Sequence, residues 1–485
     1  MATTAKKHVV LFPFPGQGHL AGLLAIARLL ARELPDAAVT LVSTPRNVAA
    51  LRRSSSAVDV GQSSIGFHAL PFVPADHGLP AGCESISSLP VPAFITLFEA
   101  FEALEPAFED YVSGLRGESG GEADICVVAD VFVAWTVDVA RRHGCTHALF
   151  VSCGAFGTAI FHALWNHMPA LPFGSDGALR LPEHPDVALR RSQLSPAFLL
   201  HGDLSDRWTA FYQRIIRHGY RTDAVLANTV EEFEPTGLAM MRRALGKVRV
   251  WPVGPLVRGD DSAAGSSETD DDSVLRWLDS QPPSSVLYVS FGSQNTIQPN
   301  QMMELAAALE ATGRPFVWAV RPPVGSNIAG AFRDEWLPEG FEGRARAGNR
   351  GLLVRGWAPQ VRILAHAATG AFLSHCGWNS VLESLAHGVP VIGWPLAAEQ
   401  FYNVRVLAEE WGVCVEVARG NLESSAVDRS KVTEVVETVM GNTAESAAMR
   451  RRVGEVQEVM RSAWAEDGGS SRTALHEFLR ALRLQ

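Results

Sequence analysis

No apolar run in this 485-residue chain approaches the ~20 residues that a membrane-spanning helix needs. The opening segment, MATTAKKHVVLFPF, carries too short an apolar stretch for the core of a secretion signal and reads as a first β-strand. Cysteine is sparse. The six, at positions 83, 126, 145, 153, 376 and 414, show no CxxC spacing. A disulfide framework and a structural zinc site are therefore not expected, and a reducing cytoplasm is. Cationic surplus is missing too: 42 Lys and Arg face 52 Asp and Glu, a formal net charge of −10. That balance argues against non-specific binding to nucleic acid or to an anionic membrane surface. No internal repeat at solenoid periods is visible. With 47% hydrophobic and 19% charged residues, the composition also excludes general disorder.

What is present is an alternation. Short, non-alternating apolar runs occur at 8–12, 38–43, 124–129, 148–152, 225–228, 286–290, 316–320, 352–354, 371–374 and 389–394. Runs of that kind are expected of parallel strands covered on both faces. Between them lie amphipathic helices. Leu20, Leu23, Leu24, Ala27, Leu30 and Leu34 recur at helical spacing, with Arg28 and Arg32 on the other side. Met302, Leu305, Ala306 and Leu309 repeat the pattern between Pro299 and Gly313. The expected class is α/β, with two doubly wound, Rossmann-like domains facing each other across a cleft.

The composition changes once, at 258–273, RGDDSAAGSSETDDDS, which reads as a flexible acidic linker. The domain boundary is placed just upstream, giving an N-terminal domain of 1–252 and a C-terminal domain of 253–485. The last helix, at 474–484, is expected to return to the N-terminal domain. Residues 114–122 read as a surface loop.

Ligands of open α/β sheets sit beyond the carboxyl ends of the strands. Six predicted strand ends carry polar, ring or glycine residues: Gly16 to His19, Asp130, Phe291 to Ser293, Trp357 to Gln360, His375 to Ser380, and Glu399 with Gln400. Any one of them alone reads equally as a turn or a cap. Gly16-Gln17-Gly18-His19 is no dinucleotide fingerprint, because residue 21 is Ala. His19 would instead begin a helix, whose positive end favours the neutral imidazole that a base requires. Asp130, ending a buried strand, is either that histidine's hydrogen-bond partner or a helix cap. Asn379 and Ser380 would open a helix ending near His387, and a helix N-terminus suits a diphosphate. Glu383, one turn further along the same face, is suited to ribose hydroxyls. Trp357 is either core or a platform for a flat base.

These residues also carry a resemblance. Residues 357–400, WAPQVRILAHAATGAFLSHCGWNSVLESLAHGVPVIGWPLAAEQ, resemble the C-terminal sugar-nucleotide box of plant UDP-glycosyltransferases of secondary metabolism. PFPGQGH, NTVEEFEP, VWPVGPL, VLYVSFGS and LPEGFEGR fall where that family has them, so the likeness covers nearly the whole chain. It implies the GT-B fold and inverting transfer of a sugar from a UDP-sugar to a small acceptor. It gives Trp357 the uracil stack, Ala358 a backbone contact to the uracil edge, and Gln360 and Glu383 the ribose. Ser293, His375, Asn379 and Ser380 would hold the diphosphate, with Gly18 and Gly377 also lining the donor. Trp378, Glu399 and Gln400 would hold the sugar hydroxyls, and Gln at the last position usually accompanies glucose. His19 is then the base and Asp130 its partner. One departure is visible: the family usually has proline three residues after the histidine, where this chain has Gly22.

No metal or other cofactor is expected. Asp270-Asp271-Asp272 formally matches a DxD metal motif but lies in the acidic segment, and His143-x-Cys145-x-His147 fits no zinc spacing. The expected partners are a UDP-sugar, as co-substrate, and a small acceptor held by Phe14, Phe94, Phe132, Phe156 and Trp208; the chain is expected to act as a monomer. Flavonoids, simple phenolics and terpenoids all remain open as acceptors. Two rival readings stand beside this one: a GT-B UDP-sugar isomerase or hydrolase, and a UDP-sugar-binding protein without catalysis.

Overall fold

The computed structural model describes residues 7–56, 65–118, 123–168, 172–200, 205–257, 268–328, 330–421 and 427–484. Its strands are β1 (Lys7–Phe12), β2 (Ala37–Ser43), β3 (Gly66–Ala69), β4 (Asp124–Asp130), β5 (Thr146–Val151), β6 (Ala178–Leu181), β7 (His184–Arg190), β8 (Ala224–Ala227) and β9 (Arg249–Pro252). They continue as β10 (Val286–Ser290), β11 (Phe316–Ala319), β12 (Gly351–Val354), β13 (Thr369–Ser374), β14 (Val391–Gly393) and β15 (Cys414–Glu416). All ten expected apolar runs are strands. The seven-stranded sheet has the order β3-β2-β1-β4-β5-β8-β9, and the six-stranded sheet β12-β11-β10-β13-β14-β15. Every pairing within these two sheets is parallel. Each sheet reverses its winding once, between β1 and β4 in the first and between β10 and β13 in the second. Such a reversal opens a crevice at the strands' carboxyl ends.

The chain forms two compact units. The first comprises Met1–Ala170, His201–Arg258 and Ser462–Gln485; the second comprises Leu171–Leu200 and Gly259–Arg461. The core of the first joins the helix Gln17–Glu33 (through Leu20, Leu23, Ala27 and Leu30) to β1, β2 and β4. The helix Ser470–Ala481 belongs to that core through Ala474, Leu475, Phe478 and Leu479, and Phe478 meets Trp251 edge to face at 5.7 Å. In the second unit Tyr288 stacks on Phe372 at 4.8 Å within a cluster of Val286, Val317, Ile363 and Leu364. The helix Pro299–Thr312 ends at Gly313, whose φ of 64° is the left-handed cap that glycine supplies without strain.

Two expectations are corrected. Of the acidic segment 258–273, residues 258–267 lie outside the described residues, but from Glu268 the chain is helical as far as Asp279. Val274 and Leu278 bury its inner face. Residues 114–118, read as part of a loop, are the last turn of the helix Glu105–Glu118; residues 119–122 lie outside the described residues.

His147 gives the fold a pH signature. It is 1% exposed, with Nε2 3.0 Å from Thr136 Oγ1 and Nδ1 2.8 Å from Thr222 Oγ1. Each ring nitrogen thus faces a threonine hydroxyl, and both hydroxyls also reach backbone carbonyls, Thr136 that of Val133 and Thr222 those of His147 and Ala224. Burial pushes its pKa down to about 3. Below pH ~6.5 the unfolded chain binds a proton that the folded chain refuses, so stability holds above that value and falls as pH drops toward 3. The expected loss from this one group is about 2 kcal/mol at pH 5. Thermal melts from pH 8 to 5 should show it, and His147→Gln, less stable at pH 8, should lose less on acidification. A parallel decline in both proteins removes His147 as the cause.

Candidate active site

β1 runs through Phe12-Pro13-Phe14-Pro15 to Gly16, the N-cap of the helix Gln17–Glu33. His19 is the third residue of that helix. Asp130 ends β4, the strand next to β1 in the sheet, with Phe12 paired to Ala129. The winding reversal therefore brings together two residues 111 positions apart: His19 Nδ1 lies 2.7 Å from Asp130 Oδ2. Asp130 is fully buried, and its Oδ1 accepts the N–H of Phe132 at 3.0 Å. The two readings of Asp130 are thus both realised, since one oxygen caps the turn Val131–Val133 and the other meets the histidine. A carboxylate only accepts, so Nδ1 carries the hydrogen and Nε2 the lone pair, the tautomer a general base needs. The Ser152 Oγ, just past β5, stands 3.4 Å from the same Nδ1.

Gly22, in place of the family's proline, leaves the helix continuous. A Cβ there would stand 3.1 Å from Phe150 Cε1, so the small residue lets the helix sit close to β5. Around His19 lies a wall of rings. Phe14 and Phe132 have centroids 5.6 and 5.2 Å from the imidazole. Phe132 continues to Phe98, Phe211 and Tyr212, and Phe98 meets Trp208. Of the five expected pocket residues, Phe14, Phe132 and Trp208 belong to this wall. Phe94 makes no ring contact among the described residues. Phe156 is buried where the helix Pro235–Leu245 crosses its own, with Glu234 Oε1 accepting its N–H at 3.1 Å. Phe98, Phe211 and Tyr212 were not anticipated.

In the second unit the same kind of edge carries a different set. Tyr288, on β10, donates its hydroxyl to Gln360 Oε1 at 3.3 Å. Gln360 Nε2 reaches Ser380 Oγ at 3.0 Å and Glu383 Oε2 at 2.6 Å, so Gln360, Ser380 and Glu383 form one cluster. Glu383 is 1% exposed. His375 follows β13 and is enclosed by two glycines: a Cβ at Gly292 or at Gly377 would stand 2.6 Å from its Nε2. Burial lowers its pKa to about 4, opposed by a backbone hydrogen bond with Ser290, so the ring is neutral at pH 7. Gly377 caps the helix Trp378–Ala386, which places Asn379 and Ser380 in its first turn. The loop holds Cys376 at a φ of +61°, pinned by Cys376 N–H to Ser374 Oγ and by Asn403 Nδ2 to Cys376 O, both at 3.0 Å.

Ser293, Trp357, Asn379 and Glu399 are half-buried, as is Gly18 in the first unit. Trp378 is buried. The Ala358 carbonyl accepts the Gln360 N–H at 2.8 Å. Gln400 Oε1 accepts the N–H groups of both Leu396 and Ala397 at 2.9 Å. Its acceptor capacity is filled, and the side chain presents Nε2–H donors only. Arg321, just past β11, was also missed; burial lowers its pKa, and it forms no ion pair with a described carboxylate. A sequence signal existed, since a lone arginine ends an apolar strand. Among the described residues no group of three or more His, Cys, Asp or Glu is placed to hold a metal ion. His143 meets Glu109 at 3.1 Å, apart from the threonine partners of His147. Nor, among these residues, is any helix long and apolar enough to cross a membrane.

Comparison with known proteins shows the family. The family model described as UDP-glucoronosyl and UDP-glucosyl transferase matches residues 264–450, and that of a glycosyltransferase N-terminal domain matches 6–258. The chain is 42% identical to UDP-glycosyltransferase 92A1 of Arabidopsis thaliana, over 85% of this chain and 84% of that one. It is 40% identical to crocetin glucosyltransferase 3 of Crocus sativus, over 88% and 90%. The structure of UGT71G1 from Medicago truncatula complexed with UDP-glucose superposes with a TM-score of 0.82 at 25% identity, covering 98% of each chain.

The glycine cage around His375 is testable. Gly292 has a φ of +79°, and Gly292→Ala adds both left-handed strain and a clash with the imidazole. UDP affinity measured by calorimetry should fall about tenfold or more. Ala at Gly343, where a Cβ meets nothing, is the control and should leave it unchanged. Unaltered UDP binding in Gly292→Ala would detach His375 from the nucleotide.

Proposed function

The chain belongs to the UDP-glycosyltransferase family, and from that premise we propose that it moves glucose from UDP-glucose to a hydroxyl of a small apolar or phenolic plant metabolite. It is an enzyme of the α/β, GT-B class. The observation that carries the chemical reading is the 2.7 Å contact between His19 and Asp130. His19 Nε2 takes the acceptor hydroxyl proton as that oxygen attacks the anomeric carbon. Asp130 holds the tautomer and stabilises the imidazolium that forms. UDP leaves from the opposite face, so the anomeric centre inverts. The ring wall of Phe14, Phe98, Phe132 and Trp208 supports an apolar, flat acceptor.

We assign acceptor binding to residues 1–252 and donor binding to 253–485. Gln360 and Glu383 take the ribose, with Trp357 and Ala358 on the uracil. The diphosphate is received by the N–H groups opening the helix Trp378–Ala386, by Ser293 and by His375. Because His375 is neutral, it acts as a hydrogen-bonding group and not as a cation. This stabilisation requires no metal.

His19→Ala should lower turnover on a weakly acidic alcohol by ~10² or more, with UDP affinity unchanged. A phenol acidic enough to ionise unaided should lose less, and Asp130→Asn should cost less than His19→Ala. Equal, mild losses on both acceptors would remove His19 as the base.

A second expectation concerns the sugar. Glu399 accepts hydroxyl hydrogens, while Gln400, with Oε1 already bonded, donates. That combination suits a neutral hexose and offers no cation to a uronate carboxylate. Equimolar UDP-glucose, UDP-galactose and UDP-glucuronate, with the products identified, should give mainly glucoside, and Gln400→Ala should weaken its formation. A dominant galactoside or glucuronide overturns the assignment.

A further inference from the structure

A concavity of about 370 Å³ in the second unit takes no part in the transfer described above. One wall is the antiparallel hairpin β6–β7, in which Ala178 pairs with Arg190 and Arg180 with Ala188. Successive strand residues point to opposite faces. Leu179, Leu181 and Leu189 are fully buried on one face, and the two alanines and two arginines line the concavity on the other. The small alanines leave room between the guanidinium groups.

The facing wall adds two more arginines, each fixed to the hairpin side. Arg405 Nη1 donates to Ala188 O at 2.9 Å, and Arg419 Nη1 to Ser192 Oγ at 2.9 Å. Two carboxylates, Asp176 and Glu409, also line it. Four positive and two negative groups leave the lining at +2, in a chain whose formal net charge is −10. Three arginines have acidic partners: Asp176 for Arg180, Glu409 for Arg405 and Glu416 for Arg419. Arg190 forms no ion pair among the described residues, and its backbone N–H is held by Gln193 Oε1 at 2.9 Å. Exposed ion pairs contribute little, and Asp176 and Glu409 are about half exposed, so an incoming anion can compete for their arginines.

Guanidinium forks recognise phosphoryl and carboxylate oxygens through paired hydrogen bonds. We infer that this concavity binds a small multivalent oxyanion, the phosphoryl or carboxylate group of a metabolite, at a site separate from the UDP loops. Excess charge, convergence from three chain segments and an arginine with no ion pair among the described residues all favour that ligand.

The test uses the full chain saturated with UDP, so that the donor loops are filled. Inorganic pyrophosphate and citrate are titrated calorimetrically in separate arms, and the tighter arm identifies the oxyanion. One equivalent should bind, and Kd should rise about tenfold or more in the Arg180→Gln/Arg190→Gln double variant. The variant's UDP affinity and melting temperature should match those of the unaltered chain, since neither residue serves the donor. Arg190→Gln alone, which leaves every ion pair in place, should lose part of the affinity. No heat from either anion at millimolar concentration overturns the inference, and so does binding that the double variant retains in full.

Discussion

A parallel strand covered on both faces has only its ends free for chemistry, and in this chain that constraint decides where reactive side chains stand. The bond between His19 and Asp130 exists because β1 and β4 are neighbours while their connections leave in opposite directions. Each strand delivers one short polar segment to the same point. The carboxylate is buried without strain because the backbone N–H of Phe132 and the imidazole use its two oxygens. Removing either strand's position in the sheet would dissolve the pair, whatever the residues at its ends.

The second sheet repeats the same reversal. Its strand ends carry few ionised groups and many oriented dipoles: the N–H groups of a helix, a buried neutral imidazole, a glutamine fixed by a tyrosine and a glutamate. Oriented dipoles of this kind need no reorganisation to receive an anion, and they do not repel one another beforehand. The cost is steric. Gly292 and Gly377 must both lack a side chain for His375 to occupy its place. Asn403 and Gln400 act inward, one holding the Cys376 carbonyl and the other the amides of Leu396 and Ala397.

Central strands were legible in the sequence because burial on two faces leaves unbroken apolar runs. β3, β9 and β15 were not, and each is an edge of its sheet, with β15 only three residues long. The hairpin β6–β7 escaped for the opposite reason, since one face is exposed and its leucines alternate with polar residues. The strand-end residues were singled out from position, candidate roles for His19, Asp130, Asn379, Ser380, Glu383 and Trp357 were read from residue type, and the others came with the family resemblance. The pairing of His19 with Asp130 was offered by the sequence as one of two readings, and the strand order that produces it is recorded in no local pattern. Ser152, Asn403 and the added rings Phe98, Phe211 and Tyr212 are set by packing between distant segments. The acidic segment was misjudged because its charges were weighed without Val274 and Leu278, which follow them at helical spacing.

The helix Ser470–Ala481 belongs to the core of β1, β2, β4 and Trp251, and this sets an order of events during synthesis. Val253 leaves the ribosome about 220 residues before Leu475, an interval of roughly 10–45 s at typical elongation rates. Throughout that interval the first sheet lacks Ala474, Leu475, Phe478 and Leu479, and the apolar surface they cover is open to water. The helix Gln17–Glu33, which carries His19, shares that unfinished core. The core of the first unit is therefore closed only after the residues of the second unit have been synthesised.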